Sequence, residues 1–273
     1  MKIAIPLSPD DTQFKLNLAY CDYVAGAGYE PFAINPHNDA MGVAEMCDGL
    51  LLPGGKDIDP IFYGESNWGS FWADSDKDDF ERRLFWAFLA LEKPVFGICR
   101  GFQLISLEYI KAETGAAVTP SSEETVDERL IFQQDINNHD CAGRFNLFRT
   151  RPHHYVLARE DSLYGSENKL PIQLAVNSMH HQYLHLNVEP DVLNKSNKVT
   201  PHMRATAWTV RGLTSEEKGV VCEAFIIKKS WRGGKVAGVQ WHPEELKDYA
   251  LLNNHFGKSK SFRGPELAER SVG

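Results

Sequence analysis

The chain has no run of about 20 apolar residues, so nothing in it is expected to span a membrane. It has no basic stripe either. Lys and Arg number 29 against 37 Asp and Glu, for a net charge of -8. No nucleic-acid partner is expected from that balance, and an acidic surface mainly favours solubility. Cysteines are few: Cys21, Cys47, Cys99, Cys141 and Cys222 are odd in number, scattered, and form no CxxC. A disulfide framework is therefore not expected, and a reducing compartment, the cytoplasm, is. HExxH and Cys-His ligand spacing are both missing. His153-His154 and His180-His181 are adjacent pairs. On a strand such neighbours point to opposite faces, so neither pair readily shares one ion. No metal and no cofactor are expected. The opening Met1-Lys2-Ile3-Ala4-Ile5-Pro6 is too short and too soon polar for a signal peptide. Internal repeats, low-complexity tracts and a convincing linker are also missing. One domain over residues 1–256, with a C-terminal tail over 257–273, is the simplest division of these 273 residues.

What is present in the first half is alternation. Lys2 to Leu7, Phe32 to Asn35, Gly49 to Leu52 and Val95 to Ile98 are short apolar runs bounded by turn residues. That pattern suits strands buried on both faces. Between them, Gln13 to Ala27 reads as a helix. A second helix follows Ser75, whose spacing to Asp78 is that of a capping box. Phe80, Leu84, Phe88 and Leu91 give it one apolar face. A third runs from Arg100 to about Glu113. Strand-helix alternation implies a parallel sheet covered on both sides. Residues 111–129 are polar and acidic, and read as a surface loop or a lid beside a site. The second half is richer in strands: Ile172 to Val176, Ala205 to Val210, Val220 to Lys228 and Lys235 to Gln240. Arg232-Gly233-Gly234 reads as the hairpin turn between the last two, and 186–204 as a further loop. The expected fold is a flavodoxin-like three-layer α/β/α sandwich, with a mainly parallel sheet and an antiparallel extension.

Three segments carry chemistry. Gly97-Ile98-Cys99-Arg100-Gly101 lies between a buried strand and a helix. This has the form of a nucleophile elbow, with cysteine in the central place. The helix N-terminus favours a thiolate there. A small buried core cysteine is the other reading. Gln240-Trp241-His242-Pro243-Glu244 follows the last apolar run. Two residues apart in extended chain, His242 and Glu244 share a side. The carboxylate can then hold one imidazole nitrogen while the other faces a thiol. Taken alone, the segment also reads as an ordinary surface turn. Pro53-Gly54-Gly55 follows a strand at the carboxyl edge of the sheet. A backbone N–H there, with that of Arg100, can make an oxyanion hole, or the segment is simply a turn.

The three segments in this order resemble the class I glutamine amidotransferase-like superfamily. They are most similar to its γ-glutamyl-γ-aminobutyrate hydrolase (peptidase) branch. Leu51 to Pro60 resembles that branch's PGGxDxxP segment, and Lys77-Asp78-Asp79-Phe80-Glu81 its RDxFE helix start. Pro94 to Gln103 and Gly238 to Glu244 are close matches, and Val176 to Gln182 resembles VNSxHxQ. The resemblance implies Cys99 as nucleophile, His242 as acid–base and Glu244 as its support. It implies Gly55 and Arg100 as oxyanion donors. Gly54, Gln103, Asn177, Ser178, His180, His181 and Gln182 would contact the substrate. The implied reaction is hydrolysis of a small γ-glutamyl amine through a glutamyl thioester.

This sequence departs from the branch at several points. Lys77 stands for arginine, the NxxxGG turn after the elbow helix is missing, and DGxxEA is altered to Lys218 through Ala224. These changes flank the pocket and leave the Cys-His-Glu set intact. Trp68, Phe71 and Trp72 are read as packing or as a wall for the leaving group. Two alternatives stand beside the hydrolase. One is a glutaminase subunit feeding ammonia to a separate amidotransferase partner. The other is a catalytically idle binding protein on the same fold. A homodimer is the other association considered.

Overall fold

The computed structural model describes residues 1–10, 13–15, 17–70, 72–114, 130–133, 154–159, 172–180, 182–186, 198–200, 202–209, 220–227 and 234–257. The apolar runs of the first half form parallel strands. β1 (Lys2–Pro6) lies between β4 (Glu30–Ile34) and β5 (Gly49–Leu52). β5 pairs β6 (Val95–Ile98), and β6 pairs β13 (Val236–Val239), all in parallel. Alternation along each strand divides the core. Leu50 and Leu52 face one side with Ala4 and Val95. Leu51 faces the other with Ile3, Ile5, Phe96 and Ile98. On the first side pack α2 (Ala40–Met46), α3 (Ser75–Ala90) and α4 (Arg100–Thr114). On the second pack α1 (Leu18–Gly26) and α6 (Tyr249–Phe256). This is the three-layer sandwich, with apolar surface buried on both faces of one sheet.

Beyond β13 the sheet turns antiparallel. β12 (Val220–Ile227) pairs β13 along Ala224 to Ile227 and β10 (Tyr183–Leu186) along Val220 to Cys222. β11 (Met203–Thr209), β8 (His154–Ala158) and β9 (Ile172–Val176) follow outward. β7 (Leu130–Gln133) pairs the free edge of β10. Register shifts in β11 around Ala205 to Trp208 are bulges, which bend a sheet locally.

The helix expected from Gln13 begins instead at Leu18. Gln13–Lys15 is β3, paired with β2 (Ser8–Asp10) as a hairpin. Asn17 explains the later start, because its side chain accepts from the Ala19 N–H at 3.0 Å and caps α1. In α3 the cap is Asp74, one residue before the expected Ser75. Asp74 accepts from the Lys77 N–H at 3.0 Å, while the Ser75 hydroxyl donates to Asp59. Phe80, Leu84 and Phe88 are buried as expected, but Leu91 sits at the helix end and is 37% exposed. Residues 111–114 of the expected loop continue α4, and 115–129 lie outside the described residues. In the segment 186–204, Leu186 closes β10 and Met203 opens β11. Arg232 and Gly233 are outside the described residues, yet the strands they join pair antiparallel as a hairpin requires. The apolar pattern does not announce β8, β10 or α2.

Close packing at the β6–α4 junction fixes the site. A Cβ on Gly101 would collide with the Leu52 carbonyl, and one on Gly97 would lie 2.6 Å from Gly101 and Phe102 backbone atoms. Gly101→Ala should therefore cost about 1–3 kcal/mol in urea unfolding, as overpacking does. A loss below about 0.5 kcal/mol, as for a neutral surface change, would contradict this packing.

Candidate active site

Cys99 sits between β6 and α4 with φ 51°, in the left-handed region. A non-glycine residue there costs about 1–2 kcal/mol. Two backbone bonds hold it. Its N–H donates to the Val239 carbonyl at 2.8 Å, and its carbonyl accepts from the Gln103 N–H at 3.1 Å. The thiol thus stands at the sheet's carboxyl edge, at the first turn of α4. That is where N–H groups and the helix dipole stabilise negative charge. Cys99 is only 4% exposed.

β13 ends at Val239, and His242 follows at the mouth of the short helix α5 (Pro243–Leu246). The chain there is helical rather than extended, which corrects the geometry expected for this pair. His242 is the cap residue and Glu244 lies in the first helical turn. Their side chains still meet, Nδ1 to Oε1 at 2.6 Å, and both residues are buried. Burial alone would lower the pKa of His242. The carboxylate of Glu244 and charge on Cys99 outweigh it and push the value up to about 10. With Nδ1 held by Glu244, the Cys99 side chain is the imidazole's other hydrogen-bonding neighbour and adds to the upward shift.

Gly54 brings the pieces together. A Cβ at Gly54 would lie 2.8 Å from His242 Cε1 and 3.4 Å from Cys99 Cβ. Only a glycine leaves the imidazole and the thiol this close to one backbone atom. The Gly54 N–H donates to Tyr20 Oη at 2.9 Å, and Tyr20 Oη lies 3.5 Å from His242 Nδ1. Tyr20 was missed in the sequence, where it is one apolar residue of α1. Burial, then charge on Glu244 and Cys99, holds its pKa well above the usual value, so it stays a neutral hydroxyl.

Beneath the elbow runs a buried ion network. Arg100 donates to both Asp78 and Glu81. The Lys77 ammonium donates to Ser8 Oγ at 2.8 Å and lies 3.7 Å from Glu81. Burial and the neighbouring Arg100 lower the Lys77 pKa to about 8, against the pull of Glu81, Asp78 and Asp74. A Cβ on Gly55 would lie 2.8 Å from the Lys77 nitrogen and 3.6 Å from Arg100 Cδ. The network therefore abuts the Gly55 backbone and the start of α4.

The side chains expected at the substrate have protein partners. Gln103 Nε2 donates to the Gln182 carbonyl at 2.7 Å and to Gln240 Oε1 at 3.2 Å. Asn177 bonds the backbone of His242, and Gln182 bonds that of Ile58. His180 Nδ1 lies 3.0 Å from the Gln182 carbonyl, and Ser178 is buried beside it. His181, His153 and Phe71 lie outside the described residues. Trp68 and Trp72 are exposed, at 63% and 75%. Among the described residues no group of three His, Cys, Asp or Glu side chains is placed to hold a metal ion. Nor is any helix among them long and apolar enough to cross a membrane.

A flavodoxin-like sheet with a cysteine elbow beside a His-Glu pair defines a class I glutamine amidotransferase-like protein. Residues 8–244 match the family model described as Peptidase C26, and the chain belongs to that family. A glutamine amidotransferase-like protein of Rickettsia prowazekii is 26% identical over 266 residues, spanning 87% of this chain and 85% of the relative. The gamma-glutamyl-gamma-aminobutyrate hydrolase of Escherichia coli K12 is 28% identical over 240 residues, spanning 85% and 80%. Among solved structures, a GMP synthase component from Thermoplasma acidophilum superposes with a TM-score of 0.53 at 14% identity, covering 94% of this chain and 92% of that one. The glutaminase domain of Trypanosoma brucei CTPS, with bound acivicin, gives 0.51 at 14% identity, covering 95% of each. These two structures share the fold.

The raised pKa sets a pH window. Below the ordinary value of 6.5 the charged His242 stabilises the folded state fully, and the contribution is lost as pH rises toward about 10. In a nitrogen-NMR titration the imidazole should lose its proton near pH 10. Glu244→Gln should bring that midpoint down sharply, because burial then opposes the charge with less to offset it. A wild-type midpoint at 6.5 would contradict the coupling.

Proposed function

We propose that this protein hydrolyses the γ-glutamyl amide bond of a small γ-glutamyl amine. The observation that carries the reading is Cys99 at a strained elbow beside a buried His242–Glu244 pair. Cys99 gives its thiol proton to His242, its sulfur attacks the γ-carbonyl carbon, and the carbonyl π electrons move onto oxygen. The backbone N–H groups of Gly55 and Arg100 receive that oxyanion. As the tetrahedral species collapses, the C–N bond breaks and His242 gives its proton to the departing amine. Water then adds to the glutamyl thioester while His242 takes its proton. The C–S bond breaks, glutamate leaves, and His242 returns the proton to sulfur, restoring the thiol. Glu244 holds Nδ1 throughout, so Nε2 is the nitrogen that exchanges the proton. The glutamyl half lies over the start of α4, between the Gly54-Gly55 turn and the segment from Asn177 to Gln182. Ser178 and His180 are assigned to its wall.

Membership of the Peptidase C26 family and the hydrolase among the relatives support a hydrolytic reading. A cytoplasmic setting fits the free thiols of Cys21, Cys47, Cys99 and Cys222.

The test is glutamate release from a panel of γ-glutamyl amines and from free glutamine, with no second protein added. Wild type should release glutamate from at least one γ-glutamyl amine. Cys99→Ala should lower that rate by about 10³-fold or more with the melting transition unchanged. Wild-type rates in Cys99→Ala would overturn the mechanism. Glutamine turnover that appears only with a synthase partner would replace the hydrolase by an ammonia-supplying glutaminase.

A further inference from the structure

β9 is separated from β13 by β12, β11 and β8, so no ladder bond can tie it to the chain that carries His242. The link is made by a side chain. Asn177, the first residue after β9, turns its amide onto the backbone of His242. Its Oδ1 accepts from the His242 N–H at 2.9 Å, and its Nδ2 donates to the His242 carbonyl at 3.1 Å. The amide thus takes both hydrogen bonds that a neighbouring strand would supply. His242 needs them. The last sheet bond in its segment is from the Gln240 N–H to the Glu223 carbonyl at 2.7 Å. Beyond it, His242 is a helix cap with φ -109° and ψ 84°, and its side chain caps nothing. Asn177 is fully buried, so this contact is not a surface accident.

Five residues on, the same device recurs. Gln182 Oε1 accepts from the Ile58 N–H at 2.8 Å, and its Nε2 donates to the Ile58 carbonyl at 2.8 Å. One short segment therefore clasps two backbones, that of the histidine and that of the chain just past Gly54-Gly55. The spacing of asparagine and glutamine in Val176 to Gln182 has a structural cause on this account, apart from any contact with substrate.

We propose that Asn177 is a positioning residue, whose amide sets the height and orientation of His242 above Cys99. This rests on the reading of His242 as the acid–base group for Cys99. A histidine on a short unpaired stretch drifts unless its backbone is held, and a misplacement of about 1 Å at a reacting group can cost about 100-fold in rate. In this role Asn177 acts on the chemistry through the His242 backbone.

A double-mutant cycle tests it, read by the iodoacetamide alkylation rate of Cys99 against pH and by hydrolysis of γ-glutamyl-γ-aminobutyrate. Asn177→Ala should lower kcat by about 10- to 100-fold while KM stays within about twofold. It should also move the alkylation midpoint to higher pH, because a displaced imidazolium stabilises the thiolate less. In a His242→Ala background, Asn177→Ala should add nothing to either change. Asn177→Asp keeps the acceptor for the His242 N–H and loses the donor to its carbonyl. It should give a smaller loss of kcat, and it serves where the alanine variant does not fold. A KM rise of about tenfold with kcat retained would make Asn177 a substrate contact and overturn the proposal. So would a full Asn177→Ala effect on alkylation in the His242→Ala background. If wild type releases no glutamate from this or any other γ-glutamyl amine of the panel, the hydrolase reading falls, and the alkylation cycle still decides on Asn177.

Discussion

At Cys99 the backbone is held at φ 51°, a conformation that an L side chain resists, and the surrounding structure leaves it no way to relax. Gly97 and Gly101 bring α4 against β5 and β6 so closely that neither tolerates a Cβ. The Cys99 N–H is committed to β13, and its carbonyl to the first turn of α4. The strain is thus balanced by the packing of three strands and a helix. What it gains is position, since a thiol held this way projects beyond the sheet edge into the field of a helix N-terminus. The Gly54 turn and the His242 cap are arranged around that fixed point.

Charge burial is the second constraint. Two cations and two carboxylates, Lys77, Arg100, Asp78 and Glu81, are almost wholly buried behind the elbow. A cluster of this kind contributes little net stability, but removal of one member strands an uncompensated charge. Its consequence is geometric. Arg100 is the first residue of α4, and its guanidinium is tied to two acids on α3. The helix start therefore cannot shift relative to α3. Gly55 packs against the Lys77 nitrogen on the same side. Burial lowers the pKa of that ammonium to about 8, which shows how little spare solvation this region has.

Much of this was legible in the sequence where one local rule decides. Short apolar runs bounded by turn residues marked β1, β5 and β6 because a doubly covered parallel strand has no polar face to blur the signal. Gly-x-Cys-x-Gly marked the elbow because glycines on both sides have one obvious purpose there. What escaped was set by contacts distant in the chain. Tyr20 looks like any apolar position of α1, yet its hydroxyl meets Gly54 and the histidine ring. Asn177 and Gln182 could be read as polar residues near a pocket, but only the folded backbone shows their amides spent on His242 and Ile58. Asn17 overrode the helical pattern from Gln13 because a cap fixes a start more firmly than propensity does. β8 and β10 went unseen because both are short, at five and four residues, and each carries a histidine.

The central claim is that Cys99 carries the glutamyl group between the two halves of the reaction. Mass spectrometry of enzyme quenched in acid during turnover of a γ-glutamyl amide tests it most directly. A glutamyl adduct on the peptide containing Cys99, and absent from Cys99→Ala, is the predicted result. Glutamate release that continues undiminished after Cys99 is fully alkylated, or an adduct mapped to another residue, would contradict the account.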